Sequence, residues 1–258
     1  MLNYEIFVVV INEAENLKKS LSKVKGKDKL TVINNGNDPD VEKVCNEAAD
    51  QGATIISDGK NIGKCASWNI ALSKLEKDLD FVVCMSPSEM FLDSEEKFIR
   101  RIEYLESKAK MMLYMCNDYH CVVTTKLGLQ ILGYHDENIW PIGEDMDFYP
   151  RMFKAKFPFT DNGTWQFPNG VSRLHAADYT QTLGWASWNK GIAKAIITDD
   201  WQKAFDAYQI KKWGACWKGP IELVDKMYDH PFNDPTKDIR WWPKPIDNHY
   251  FLCERVKT

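Results

Sequence analysis

The chain has 258 residues, of which 44% are hydrophobic and 27% charged, enough for one α/β domain with a sizeable core, alone or with an extension. A net charge of −4 and a pI of about 5.8 argue against a nucleic-acid binder, which carries a basic excess. The longest apolar runs, such as Ile6 to Ile11, fall far short of the roughly 20 residues a membrane helix needs.

The first half alternates strand and helix signals. Ile6 to Ile11 is a continuous β-branched and aromatic run, as expected of a strand buried on both faces. Ala14, Leu17, Leu21 and Val24 follow at helical spacing. Leu30 to Ile33 is a second strand, closed by the turn formers Asn34 to Pro39. Val41, Val44, Cys45 and Ala48 mark a second helix, and Ala53 to Ile56 a third strand. Ala66, Trp68, Ile70, Ala71, Leu72 and Leu75 give a third helix, Phe81 to Met85 a fourth strand, and Phe98, Ile99, Ile102 and Leu105 a fourth helix. This alternation predicts an α/β fold with a mostly parallel sheet covered on both faces. Ligands of such sheets bind outside the carboxyl ends of the strands. The segments to search are therefore Asn12-Glu13, Asn34 to Asp38, Asp58 to Lys64 and Ser86 to Glu89.

The second half changes character. Met111 to Met115 and Cys121 to Thr125 read as strands, and residues 133–150 are acidic and aromatic. Beyond about residue 176 strand signals fade, and eight of the ten tryptophans lie between Trp165 and Trp242. The division expected is a domain over 1–180 and a helical, irregular extension over 181–258 packed on it. The seven cysteines are scattered and include no Cys-x-x-Cys pair, so neither a zinc site nor a disulfide framework is expected. No signal-peptide pattern opens the sequence, and a reducing, cytoplasmic setting is the expectation; Asn162-Gly163-Thr164 is then a chance sequon.

Four segments, in order, resemble the inverting glycosyltransferases of family 2, especially the rhamnosyltransferase-like members. They are Val32-Ile33-Asn34-Asn35-Gly36-Asn37, Asn61-Ile62-Gly63-Lys64-Cys65-Ala66-Ser67-Trp68-Asn69, Met85-Ser86-Pro87-Ser88-Glu89, and the block Leu132 to Glu137 with Gly143-Glu144-Asp145-Met146-Asp147-Phe148 and Arg151. The resemblance covers roughly residues 4 to 180. It implies a GT-A fold, a three-layer sandwich around the mostly parallel sheet. It also implies a nucleotide-diphosphate sugar donor, a glycan acceptor (free, lipid-linked or protein-linked), and a role in glycan biosynthesis.

The resemblance also implies roles. Asn34 would face the base, with Asn12, Glu13, Asn61, Gly63 and Asn69 near the nucleotide. An amide can bond a pyrimidine edge, although Asn34 equally suits an Asx turn and Glu13 a helix start. Asp145 would take the proton of the acceptor hydroxyl. Glu144 would hold the acceptor or act on Asp145 by like-charge proximity. Asp136, Glu137 and Trp140 would contact the acceptor. The plain alternative makes Glu144, Asp145 and Asp147 an acidic first turn favoured by the helix dipole. Lys64 and Arg173 can bind phosphate oxygens.

The leaving diphosphate is commonly stabilised by Mn²⁺ or Mg²⁺. Here the sequence departs from the family: Ser86 and Ser88 stand in the metal motif and are read as nucleotide-sugar contacts, leaving Glu89 and His175 as the candidate ligands, with Glu89 equally readable as a surface residue and His175 as a structural or surface one. That departure motivates a second expectation, a degenerate module that binds nucleotide sugar without transfer. A nucleotidyltransferase lacks support because no Gly-rich basic loop follows the first strand, and no Gly-x-Gly-x-x-Gly marks a dinucleotide oxidoreductase.

Overall fold

Unbroken apolar runs make strands where both faces of a sheet are covered. The computed structural model, which describes residues 2–108, 113–116, 120–137, 139, 144–154, 171–174, 176–183 and 199–213, bears this out. The chain runs β1 (Tyr4–Val10), α1 (Ala14–Ser22), β2 (Leu30–Asn34), α2 (Pro39–Ala49), β3 (Thr54–Ile56), α3 (Gly63–Ser73) and β4 (Phe81–Met85). It continues with β5 (Glu89–Phe91), α4 (Glu95–Lys108), β6 (Leu113–Cys116), β7 (Cys121–Thr125), α5 (Lys126–Leu132) and α6 (Glu144–Lys154). Last come β8 (Val171–Leu174), α7 (Ala176–Tyr179), β9 (Thr180–Thr182) and α8 (Asp199–Trp213).

The main sheet has seven strands in the order β3-β2-β1-β4-β7-β6-β8. β7 alone runs against the rest, pairing antiparallel with both β4 and β6. Four residues separate β6 from β7, too few for the crossover that a parallel pair requires. Alternate residues of β1 feed two cores. Ile6, Val8 and Val10 pack with Leu17 and Leu21 of α1, Val41 and Cys45 of α2, and Phe98 and Ile102 of α4. Phe7 and Val9 pack with Trp68 and Leu72 of α3, Leu129 and Leu132 of α5, and Phe148 and Met152 of α6. The result is helix, sheet and helix in three layers. Each fully buried Phe or Ile contributes about 1.5–3 kcal/mol.

Local chemistry sets the element starts. Asp38 caps α2 by accepting from the backbone N–H of Asp40 (2.9 Å) and Val41 (3.3 Å), with Pro39 at the first helical position. Thr125 caps α5 through Gly128 N–H at 3.0 Å.

The first three strands step outward from β1 in one direction, and β4 then takes the other side. The crevice between the carboxyl ends of β1 and β4 is thus a topological switch point, where open α/β sheets bind ligands. A second ribbon pairs β5 with β9, joining Glu89 to Thr182. Neither strand has an apolar signature, and their pairing crosses the boundary drawn at residue 180. No helix among the described residues is long and apolar enough to cross a membrane.

Candidate active site

Asn12 and Glu13 follow β1 directly. Glu13 is buried and accepts from Asn16 Nδ2 at 3.2 Å. At the end of β2, Asn34 Oδ1 accepts from Gly36 N–H at 3.0 Å, so the Asx turn is formed and a base-reading role would fall to Nδ2. The two strand ends approach closely: a β-carbon on Gly36 would lie 2.1 Å from the Ile11 carbonyl oxygen. Gly36→Ala is expected to cost about 1–3 kcal/mol, as overpacking against rigid backbone does; a urea midpoint indistinguishable from wild type would contradict this.

Asn35, which carried no role in the sequence, joins β2 to α3. Its Nδ2 donates to Ser67 Oγ at 2.8 Å and to the Gly63 carbonyl at 3.4 Å. Gly63 opens α3 with φ of 82°, a conformation that favours glycine, and its N–H donates to Asn61 Oδ1 at 2.9 Å. Asn61 and Gly63 therefore shape the turn that delivers Lys64. The Lys64 Nζ lies 2.5 Å from Glu144 Oε1 and 4.6 Å from the centre of the Trp68 ring.

Asn69 grips the loop before α6. Its Oδ1 accepts from His135 N–H at 2.8 Å, and its Nδ2 donates to the His135 carbonyl at 2.9 Å and to Glu137 Oε1 at 2.8 Å. It thereby positions this loop, and Glu137 is exposed. Glu144 and Asp145 lie side by side in the first turn of α6 but do not face each other, since adjacent helical residues diverge. Glu144 turns inward to Lys64, while Asp145 is half-buried.

The other two acids of the block, Asp136 and Asp147, face counter-ions inside the protein. Asp136 is buried, accepting from Tyr208 Oη and from Lys212 Nζ, the latter at 2.5 Å. Lys212 Nζ also reaches Asp147 Oδ1 at 2.5 Å, and Asp147 pairs with the buried Arg151. Arg151 donates onward to the carbonyls of Leu132 and Tyr134. These carboxylates neutralise two cations inside the protein, and through Tyr208 and Lys212 Asp136 ties the block to α8. Tyr208 and Lys212 had no sequence signal. Their partners lie 72 and 76 residues away, a separation with no periodic signature.

His135 is enclosed by Phe148, stacked at 4.5 Å, and by the edge of Trp68 at 5.4 Å. Burial, reinforced by the nearby positive charges of Arg151 and Lys64, holds its pKa well below the ordinary 6.5. The unfolded chain therefore takes up a proton below pH 6.5 that the folded chain refuses. Stability falls as pH drops from 6.5 toward the folded pKa, by at most about 1.4 kcal/mol per pH unit. Urea titrations at stepped pH on wild type and His135→Gln test this, and an unchanged slope in the variant would remove His135 as the cause. The thiols of Cys45 and Cys84, pushed up by burial to about 11 and about 12, stay protonated at neutral pH.

On the other side of the switch point, Ser86 Oγ lies 3.5 Å from His120 Nδ1, and its N–H donates to the His120 carbonyl at 2.9 Å. Ser88 is buried, and its carbonyl accepts from Leu183 N–H at 2.7 Å. Glu89 is fully buried in β5 and accepts from Thr182 Oγ1 at 3.2 Å, so the surface alternative is excluded. Mg²⁺ and Mn²⁺ favour several oxygen ligands in an octahedral shell. Among the described residues, no three His, Cys, Asp or Glu side chains form a group able to hold a metal. His175 and Trp140 lie outside the described residues, as does the side chain of Arg173 in β8. Among the described residues the candidate ligand is therefore Glu89, enclosed in β5, and a cation that also binds a diphosphate needs only one or two protein carboxylates.

The seven-stranded sheet and its helical layers make a GT-A fold, the fold of the solved glycosyltransferases it resembles. Two solved structures illustrate it. The mannosyltransferase PcManGT from Pyrobaculum calidifontis, in complex with GDP-Man and Mn²⁺, superposes with a TM-score of 0.52 at 13% identity over 87% of this chain and 69% of that one. S. aureus TarS 1–349 with UDP-GlcNAc gives 0.53 at 11% identity over 87% and 70%. Against another S. aureus TarS structure the score is 0.50 at 12% identity, covering 71% of this chain and 37% of that one. No protein-family model matches the sequence, and no curated protein does.

Proposed function

We propose that the protein transfers a sugar from a nucleoside-diphosphate sugar to an acceptor hydroxyl, with inversion at the anomeric carbon. The observation that carries this reading is the Lys64–Glu144 contact. It brings the segment expected to meet the donor against the block expected to meet the acceptor, with Asp145 beside it on the same helical turn. In this reading Asp145 accepts the proton of the attacking hydroxyl as the oxygen bonds to the anomeric carbon. The bond to the nucleoside diphosphate breaks on the opposite face. The charge developing there is met by the Lys64 ammonium and by N–H groups at the start of α3.

The same reading treats residues 1–180 as the transferase domain and 181–258 as an extension on it, working in the cytoplasm on a free, lipid-linked or protein-linked glycan. The donors bound by the mannosyltransferase and TarS structures, GDP-Man and UDP-GlcNAc, are the first to try. Incubation with UDP- and GDP-sugars and a panel of glycan acceptors, with and without Mn²⁺, is expected to release nucleoside diphosphate in step with glycosylated product. Tight nucleotide-sugar binding with no release under any condition would favour the second reading, a non-catalytic binding module, for which the burial of Glu89 speaks.

A further inference from the structure

The Lys64–Glu144 pair has an unusual balance. Glu144 is more than nine-tenths buried, yet only its Oε1 is engaged; Oε2 is buried with no hydrogen-bond partner among the described residues. A buried carboxylate oxygen left without a donor is costly, so this ion pair is not a fully satisfied structural bridge. Contrast Asp147, a few residues on, whose two oxygens meet separate cations. Lys64, for its part, keeps 24% of its side chain exposed and hangs on a flexible four-carbon stem at the second residue of α3. One end of the pair is thus fixed and under-satisfied, and the other end can move.

We propose that Glu144 is a charge lock on Lys64: it holds the ammonium while the donor site is empty, yields it to the arriving diphosphate, and then offers its own carboxylate to the acceptor hydroxyl. This rests on the donor reading given above. A diphosphate carries at least two negative charges and several acceptor oxygens, so it outcompetes a single carboxylate for one ammonium. Its place is prepared by the N–H groups opening α3, an eleven-residue helix. Once Lys64 leaves, Glu144 has neither oxygen satisfied, and a sugar hydroxyl is the donor that repairs it. Donor therefore binds before acceptor. Linkage makes the effect mutual: a hydroxyl on Glu144 releases Lys64 and tightens the diphosphate by the same factor.

Calorimetry with UDP and GDP on wild type, Glu144→Gln, Lys64→Met and the double variant tests this. Glu144→Gln is expected to tighten the diphosphate about tenfold, and Lys64→Met to weaken it by a similar factor, within the usual span of coupled sites. In the Lys64→Met background the Gln substitution is expected to change nothing. Equal tightening in that background would show Glu144 repelling the phosphates directly and would overturn the lock, as would no tightening in the single variant. If neither wild type nor Glu144→Gln binds a nucleoside diphosphate, the donor reading itself falls. Should Glu144→Gln fail to fold, Glu144→Asp, which draws the charge back by one methylene, carries the same expectation at smaller amplitude.

Discussion

An Asp145→Asn variant is expected to lose roughly 10²–10⁴-fold in kcat, the span that a positioned general base contributes. The substitution keeps the shape of the side chain and removes its ability to take a proton. Asp145 stands in the first turn of α6, half-buried, next to a glutamate that is turned the other way. The loss should therefore fall on the chemical step. Affinity for nucleoside diphosphate, measured by calorimetry, should stay within about twofold, since the phosphates are assigned to Lys64 and the start of α3. Transfer within a factor of ten of wild type would remove Asp145 as the base, and a large loss of nucleotide affinity would move it to the donor side.

The second large effect is on stability. Lys212→Met is expected to destabilise the fold by about 3–5 kcal/mol, the usual result of taking one partner from a buried ion network. Lys212 is almost fully enclosed, and its single ammonium lies 2.5 Å from both Asp136 and Asp147. Without it, Asp136 loses the cation beside its buried charge and retains the Tyr208 hydroxyl, while Asp147 retains Arg151. Lys212 also sits in the last turn of α8, where the helix dipole favours a cation. Lys212→Arg should recover part of the loss. Urea unfolding read by tryptophan fluorescence measures both, and a loss under about 1 kcal/mol for Lys212→Met would mean that the network carries little.

The layered sheet was legible because Ile6 to Ile11 and Phe81 to Met85 are too uniformly apolar to be anything but doubly covered strands. The direction of β7 was legible in principle as well, from the four residues that precede it, although composition alone does not encode it. β5 was not, because Glu89-Met90-Phe91 is three residues long and its buried glutamate reads as polar. At the site, the sequence placed Asp136, Glu144, Asp145 and Asp147 in one acidic block on the acceptor side, with Asp145 as its base. The fold separates them: Asp136 and Asp147 turn to Lys212, Glu144 turns to Lys64, and Asp145 remains half-buried. That sorting depends on which way each side chain points and on counter-ions far along the chain. Spacing in the sequence records neither.

The bond between α8 and the acidic block has a consequence in time. Asp136 precedes Lys212 by 76 residues. At about 5–20 residues per second, a ribosome needs roughly 4–15 s to bridge that gap. During that interval the first strands and their helices can already pair, while Asp147 has Arg151 and Asp136 waits for the Lys212 cation that has not been made. The nascent chain then holds its sheet with an open charged seam, which closes only when α8 arrives.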